Sequence, residues 1–298
     1  MAKRTILVDS ARRELEKHGT ETFPMTVKHD DLWSFEGKNV PIHWHNDLEI
    51  NLIREGEAVF QVYQKSYRVR TGEGFLLNRN VPHSCSSPGN EHVRYSTILV
   101  RPDFLYGDFG SDVERKCFQP FLQNSAIPCI HLTGFDENGK EILWKLNQVE
   151  EAFDRKRFCY ELKIKGLLCE AFAMILYGHR QELTKFVPAN LQELERLEKM
   201  LNYLNMHFTE VISLQDLADQ VHLSREVCCR LFKKMTGKTI TGYLEEYRVN
   251  KSFSLVQSGQ YSMTQITEMV GFSNPSRFAS AFRKRFGCNP GEYNSVKH

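Results

Sequence analysis

The chain lacks any apolar run approaching the ~18 residues that a membrane helix needs. Its opening residues offer only Ile6-Leu7-Val8, too short for the core of a secretory signal. Both absences point to the cytoplasm and exclude a membrane partner. Its 8 cysteines (Cys85, Cys117, Cys129, Cys159, Cys169, Cys228, Cys229 and Cys288) contain no C-x-x-C pair, which argues against a zinc ribbon or a thioredoxin-type motif. Scattered cysteines in a cytosolic chain are expected to be small reduced hydrophobes. No excess of one charge assigns a partner, since the net charge is only +2. No nucleophile–base pair and no phosphate-cradling glycine loop stands out, so the reading has no catalytic residue and no cofactor, and an enzyme is not expected.

What is present fits a globular protein. The 298 residues are 41% hydrophobic and 26% charged, and such a length suggests two domains of about 150 residues. Residues 191 to 298 hold 14 Lys and Arg against 11 Asp and Glu, while the rest of the chain holds 25 against 26. That tilt mildly favours nucleic acid at the C-terminal end. From about 40 to 100, short apolar or alternating runs at 50–53, 58–63, 67–69, 74–77 and 93–100 are punctuated by Gly56, Gly72, Gly74, Pro82 and Ser87-Pro88-Gly89. This spacing predicts the strands of a sandwich or barrel. From about 136 to 180 the period becomes helical. Leu143, Leu146, Glu150 and Phe153 follow one stripe, with Trp144 and Val149 off it, and a second helix carries Leu168, Ala171, Phe172, Ile175 and Leu176. A break at 184–192 contains Pro188, and everything after it reads as helix. The expected organisation is α+β and multidomain: a β-barrel with a helical pair over 1–183, a linker, and an all-α domain over 193–298.

The all-α part contains a weak internal repeat. Ser213-Leu214-Gln215-Asp216-Leu217-Ala218-Asp219-Gln220-Val221 aligns with Ser262-Met263-Thr264-Gln265-Ile266-Thr267-Glu268-Met269-Val270, and Leu231-Phe232-Lys233-Lys234 with Ala281-Phe282-Arg283-Lys284. Each copy reads as helix, tight turn, helix. Ser213 and Ser224 are N-cap candidates in the first copy, with Asp216 at capping-box spacing. Leu214, Leu217, Ala218 and Val221 form the first apolar stripe. On the next helix Cys228, Leu231, Phe232 and Met235 should face inward, leaving Arg225, Glu226, Cys229, Arg230 and Lys233 outside. In the second copy Gly271 can stop a helix, Ser273 or Asn274 can cap the next, and Pro275 suits its first turn. There Phe278, Ala281, Phe282 and Phe286 face inward, and Ser276, Arg277, Ala279, Ser280, Arg283 and Lys284 outward. An outward face near a helix N-terminus is what enters a DNA major groove. Helix pairs are common in any helical domain, but two in tandem, each with a basic outer face, point to double-stranded DNA.

These residues resemble the AraC/XylS-type transcription regulators. The resemblance spans about 195 to 296. It includes Tyr243-Leu244-Glu245-Glu246-Tyr247-Arg248, Leu255-Val256, Gly271-Phe272-Ser273, the run from Phe278 to Gly287, and Pro290-Gly291-Glu292-Tyr293. Ile240 stands where the family often has Pro, His222 where a small turn residue is usual, and Asn294 where Arg is frequent. The resemblance implies two helix-turn-helix units on adjacent major-groove segments. Its base-reading positions would be Glu226, Cys229 and Arg230, then Pro275, Ser276, Ala279 and Ser280. It also implies a cupin-like effector barrel, a small-molecule effector such as a sugar, a homodimer formed through the helical pair, and an activator contacting RNA polymerase.

In the β region, His43-Trp44-His45 is followed by Glu49, and His83 comes later, after Pro82. If His43, His45 and Glu49 lie on one strand, their even spacing puts them on one face. Three imidazoles and a carboxylate could hold a divalent metal. This resembles the cupin motif and supplies the rival reading, a metal-dependent enzyme with a DNA-binding appendage. Against it, Pro82 and His83 are adjacent where the cupin pattern has an intervening Gly, and regulators of this family commonly keep such histidines without metal. His43, His45, Glu49, Trp44 and His83 are therefore expected to contact the effector, with no metal. Trp33, Trp44, Phe60, Tyr63 and Tyr67 could form an aromatic wall or simply be core. A third reading, a cysteine-based alkyl-acceptor repair protein, lacks a dedicated reactive cysteine motif here.

Overall fold

A computed structural model describes residues 4–9, 12–89, 91–185 and 191–295. The β half begins earlier than its apolar runs suggest. Strands are β1 (Met25–Asp31), β2 (Asn39–His43), β3 (Leu48–Glu55), β4 (Glu57–Val62), β5 (Lys65–Arg70), β6 (Gly74–Leu77), β7 (His83–Ser86), β8 (Arg94–Val100) and β9 (Cys129–Leu132). They form two antiparallel sheets, β1-β8-β3-β6-β9 and β2-β7-β4-β5. The five expected runs fall in β3, β4, β5, β6 and β8. The apolar runs do not mark strands β1, β2, β7 and β9, which are polar, short or, in β2, interrupted by Pro41.

The central strands β3, β6 and β8 of the five-stranded sheet are buried on both faces. Leu48, Ile50 and Leu52 of β3, with Ile98 and Val100 of β8, pack into one core with the helices that cover the sheet. The alternate residues Glu49, Asn51, Thr97 and Leu99 line the barrel interior. Two short helices, α1 (Pro102–Tyr106) and α2 (Gln119–Leu122), lead to β9. The covering pair is α3 (Glu137–Arg155) and α4 (Tyr160–Gly178). Asp136 caps α3 by accepting from Gly139 N, and Lys156 ends it with a φ of 44°. Val149 is fully buried on α3 and belongs to its inner stripe, contrary to the expectation, whereas Glu150 is only half-buried and reaches Arg54 on β3. Each fully buried aliphatic side chain in this core contributes roughly 1.5–3 kcal/mol.

After α5 (Arg180–Thr184), part of the expected 184–192 linker (186–190) lies outside the described residues. The helical half comprises α6 (Leu191–Met206), α7 (Leu214–Gln220), α8 (Arg225–Thr236), α9 (Ile240–Ser258), α10 (Met263–Met269), α11 (Pro275–Phe286) and α12 (Pro290–Ser295). It holds two cores joined by α9. Ile240 and Tyr243 of α9 join Leu197, Leu201, Leu217, Cys228 and Phe232 in the first. Val249 and Val256 of α9 join Ile266, Phe278 and Phe282 in the second.

The halves are docked. Ile42 of β2 is buried in the first helical core. Arg12 Nε donates to Tyr243 Oη at 3.1 Å and its guanidinium lies 4.8 Å from the Tyr247 ring centre. Arg285 donates to Gly37 O at 2.9 Å. Gly237 ends α8 with a φ of 73°, and a Cβ there would lie 2.4 Å from Tyr63 O, so only glycine lets this helix end meet β4.

Candidate functional site

Each helix-turn-helix unit is built by caps. Ser213 accepts from Asp216 N and Ser224 from Val227 N in the first. In the second, Ser262 and Gln265 form a reciprocal capping box, and Asn274 rather than Ser273 caps α11 by accepting from Arg277 N, with Pro275 at the first helical position. The turn between helices needs a left-handed residue in both copies: His222 has φ 52° and Gly271 φ 76°. These turns fix which face of α8 and α11 is free. Cys228, Leu231, Phe232 and Met235 are buried, as are Phe278, Ala281 and Phe282. Ser224, Arg225, Glu226, Arg230 and Lys233 are exposed in the first unit, and Pro275, Ser276, Arg277, Ser280, Arg283 and Lys284 in the second. Cys229 and Ala279 are half-buried between the two faces, and Phe286 is only partly buried. Leu214 is exposed despite its place in the apolar pattern, because it opens α7 ahead of the core.

Two residues of the family-like motifs do something else. Arg248 donates to Phe208 O at 2.6 Å and Glu210 O at 2.8 Å, so it holds the α6–α7 connection. Arg285, third in a basic run, turns back to the barrel while Arg283 and Lys284 stay outside.

The barrel histidines converge by a route other than the expected one. His43 is the last residue of β2, His45 lies in the connection, and Glu49 is on β3. One strand does not carry them; the chain crosses between the two sheets and folds them together. His43 pairs in register with His83 of β7. All four are buried, and one ligand atom from each lies within 4.8 Å of the others. His45 Nε2 is 2.7 Å from Glu49 Oε2, and His83 Nε2 lies 3.3 Å from the same oxygen at an angle that makes no hydrogen bond. Asn51 Nδ2 donates to Glu49 Oε1 at 2.7 Å, and Thr97 donates to Asn51. Burial alone would raise Glu49, but His83 and His45 hold its carboxyl well below the usual range. Burial, reinforced by His83, pushes His43 down. Burial would also lower His83, but Glu49 outweighs it and raises it.

The space beside this cluster is about 60 Å³, enough for a few waters and too small for a sugar. Trp44 stands apart from it, with its ring against Arg13 at 5.4 Å. Phe60 is core, stacked on Phe75 at 4.7 Å, and Trp33 lies at the surface under Lys38. Tyr63 and Tyr67 instead line a cavity of about 920 Å³ between the barrel and the first helical unit, with Asn78, Asn80, Lys234 and Met235. Sequence periodicity could not have found this cavity, since its walls come from segments far apart in the chain.

Two family models match this chain. Residues 32–128 match the AraC-like ligand binding domain, and residues 217–295 a helix-turn-helix domain. The transcriptional activator RhaR of Mannheimia succiniciproducens is 31% identical over 268 residues, covering 86% of this chain and 87% of its own length. The chain belongs to the AraC family of transcription regulators. The HTH-type transcriptional regulator YdeC of Bacillus subtilis is 26% identical over 98% of this chain and 99% of its own. Among solved structures, ToxT from Vibrio cholerae aligns over 95% of this chain and 100% of its own at 17% identity, with a TM-score of 0.43. As a family member the chain is a DNA-binding transcription regulator with a ligand-binding domain, and not an enzyme. Among the described residues no helix is long and apolar enough to cross a membrane.

Proposed function

We propose that this regulator reads a specific DNA duplex through α8 and α11 and changes its affinity when a small molecule fills the cavity between its halves. The observation that carries the reading is the exposed face that the two capped units share, basic at its edges and close to each helix N-terminus. Ser224, Arg225, Lys233, Arg277 and Arg283 suit phosphates. Glu226, Cys229, Arg230, Pro275, Ser276, Ala279 and Ser280 suit base edges, and Arg230 offers the bidentate fork that guanine accepts.

For the effector, volume favours the interdomain cavity over the barrel cluster. About 920 Å³ lies within the range of small-molecule sites. Tyr63 and Tyr67, with the amide of Asn80, whose Oδ1 is buried without a hydrogen-bond partner, combine stacking surface with hydrogen bonding, which suits a sugar. A ligand there touches the barrel and the end of α8 together, so it favours one docking of the halves over another. The RhaR relatives are activators, and this chain is read as one, contacting RNA polymerase. Exposed Trp144, Phe158, Leu162 and Tyr177 on and between α3 and α4 support a homodimer, which sedimentation at micromolar concentration tests.

The deciding experiment is fluorescence-anisotropy titration with the DNA upstream of the protein's own gene and with a scrambled duplex, over a salt series. Tight, discriminating binding with a log–log salt slope of several units is expected, as is a shift in affinity with a sugar that a Tyr67→Ala variant no longer shows. No binding at low salt would refute the reading.

A further inference from the structure

Each helix-turn-helix unit is packed around its own core, and the two share α9. Reading two successive segments of one duplex demands more than two folded units. It demands a fixed angle and separation between α8 and α11. A helix of 19 residues such as α9 can bend, so on its own it leaves that angle loose. The units also meet at a second place, the connection between α6 and α7. Arg248 of α9 donates to this segment from Nε to Phe208 O at 2.6 Å and from Nη2 to Glu210 O at 2.8 Å. The Phe208 ring meets the Tyr247 ring edge to face, with 5.3 Å between centres. The same segment lies against the turn of the second unit: a Cβ on Gly271 would fall 2.7 Å from Phe208 O and 2.7 Å from Thr209 Cα. Three residues of the first unit are thus held between α9 and the α10–α11 turn.

The chemistry of Arg248 is that of a brace. Among the described residues its guanidinium makes no ion pair, and both of its partners are neutral carbonyls. Burial lowers its pKa from the ordinary value, and the like charge of Arg277 on α11 lowers it further. Charge attraction therefore does not explain its place. What it supplies is a rigid planar fork that spans residues 208 and 210, which a lysine ammonium, as a point charge on a flexible stem, cannot copy. We propose that Arg248 is a positioning residue for DNA recognition: it clamps residues 208–210 between α9 and the Gly271 turn, fixes the angle between the two units, and so sets the separation of the two DNA segments that the protein accepts. This rests on the reading that α8 and α11 engage one duplex. One base pair inserted between the segments turns the second by roughly 35°, which a braced pair of units cannot follow and a hinged pair can.

The test first selects duplexes from a randomised pool with the full parent chain. The recovered sequence then supplies a spacing series, with one or two base pairs inserted or removed between the two segments. Anisotropy titrations compare the parent chain, Arg248→Lys and Arg248→Met. A single insertion should cost the parent about tenfold or more in affinity and Arg248→Met less than about threefold, with Arg248→Lys between them and base preferences inside each segment unchanged. A purely structural loss would weaken every duplex equally and leave the insertion penalty intact. Amide hydrogen exchange without DNA is the second readout. Residues 207–213 and 270–274 should both exchange about tenfold faster in Arg248→Met, with 225–236 unchanged. Thr209 and Glu210 are exposed, so water can replace the lost donors; should Arg248→Met still fail to fold, Arg248→Lys carries both measurements. Parental spacing selectivity in a folded variant, or unchanged exchange at 270–274, would overturn the proposal. A parent chain that enriches no sequence would count against the DNA reading instead, and exchange at 270–274 would then decide the brace by itself.

Discussion

Replacing Gly271 with Ala isolates what the turn of the second helix-turn-helix contributes. Its φ of 76° costs a residue with a Cβ about 1–2 kcal/mol. The added Cβ would also lie 2.7 Å from Phe208 O, 2.7 Å from Thr209 Cα and 2.8 Å from Thr209 O. These are backbone atoms of a segment that Arg248 holds through Phe208 O and Glu210 O on either side of Thr209, so they cannot swing aside as a side chain would. Overpacking of this kind costs about 1–3 kcal/mol, and the two effects together give roughly 2–5 kcal/mol. Whole-chain denaturation would blur a local loss in a protein of two halves. Amide hydrogen exchange on peptides from α10 and α11 resolves it. Exchange there should speed up roughly 30-fold to a few thousandfold, with α3 and α4 unchanged. His222→Gly is the matched control at the equivalent turn. Relief of its left-handed φ (52°) opposes glycine's entropic cost, so the net change should stay within about 1 kcal/mol. Acceleration below about fivefold in Gly271→Ala would refute the account of this turn, as would a larger loss in His222→Gly.

Arg230→Ala should cost roughly 1–3 kcal/mol of DNA affinity and relax preference at one base pair; a uniform loss across sequences with a shallower salt slope would mark it as a phosphate contact instead. Arg12→Ala removes both a charged hydrogen bond to Tyr243 and the stacking on Tyr247. It should cost about 1.5–3 kcal/mol of docking and speed exchange in residues 12–18, and unchanged exchange would mean the arm is held by other contacts. Burial would lower His18, but hydrogen bonds to Asp47 and Glu14 outweigh it and hold its pKa at about 9, above the ordinary 6.5. Its stabilisation is therefore complete below about pH 6.5 and disappears as pH rises through about 9. Melting temperature should fall over that window in the parent chain and not in His18→Gln, and parallel curves would contradict the ion pairing.

How much of this could be read from the chain differs between the halves, for a physical reason. In the helical half, local chemistry determined the outcome. Caps at Ser224 and Asn274, left-handed residues at 222 and 271, and the 3.6-residue stripe of Leu231 and Phe232 are all short-range signals. They fix which side chains of α8 and α11 face solvent without reference to any tertiary contact. Leu214 departs from the pattern because it opens its helix ahead of the core, whereas Phe286, at the end of α11, faces inward onto Phe253, Phe282 and Tyr293 and is only partly covered. The barrel was legible only where strands are apolar. The polar edge strand β1 and the four-residue β7 between β2 and β4 carry no periodic signal strong enough to stand out, and Val149 falls off the single stripe because a helix buried against a sheet has a wider apolar face than one stripe. The convergence of His43, His45, Glu49 and His83 was suggested by spacing but produced by something spacing does not contain: a crossing between two sheets and the register of β2 on β7. The interdomain cavity, the Arg12 latch and the return of Arg285 to Gly37 were decided by tertiary structure alone, because each depends on surfaces that meet only after both halves have folded.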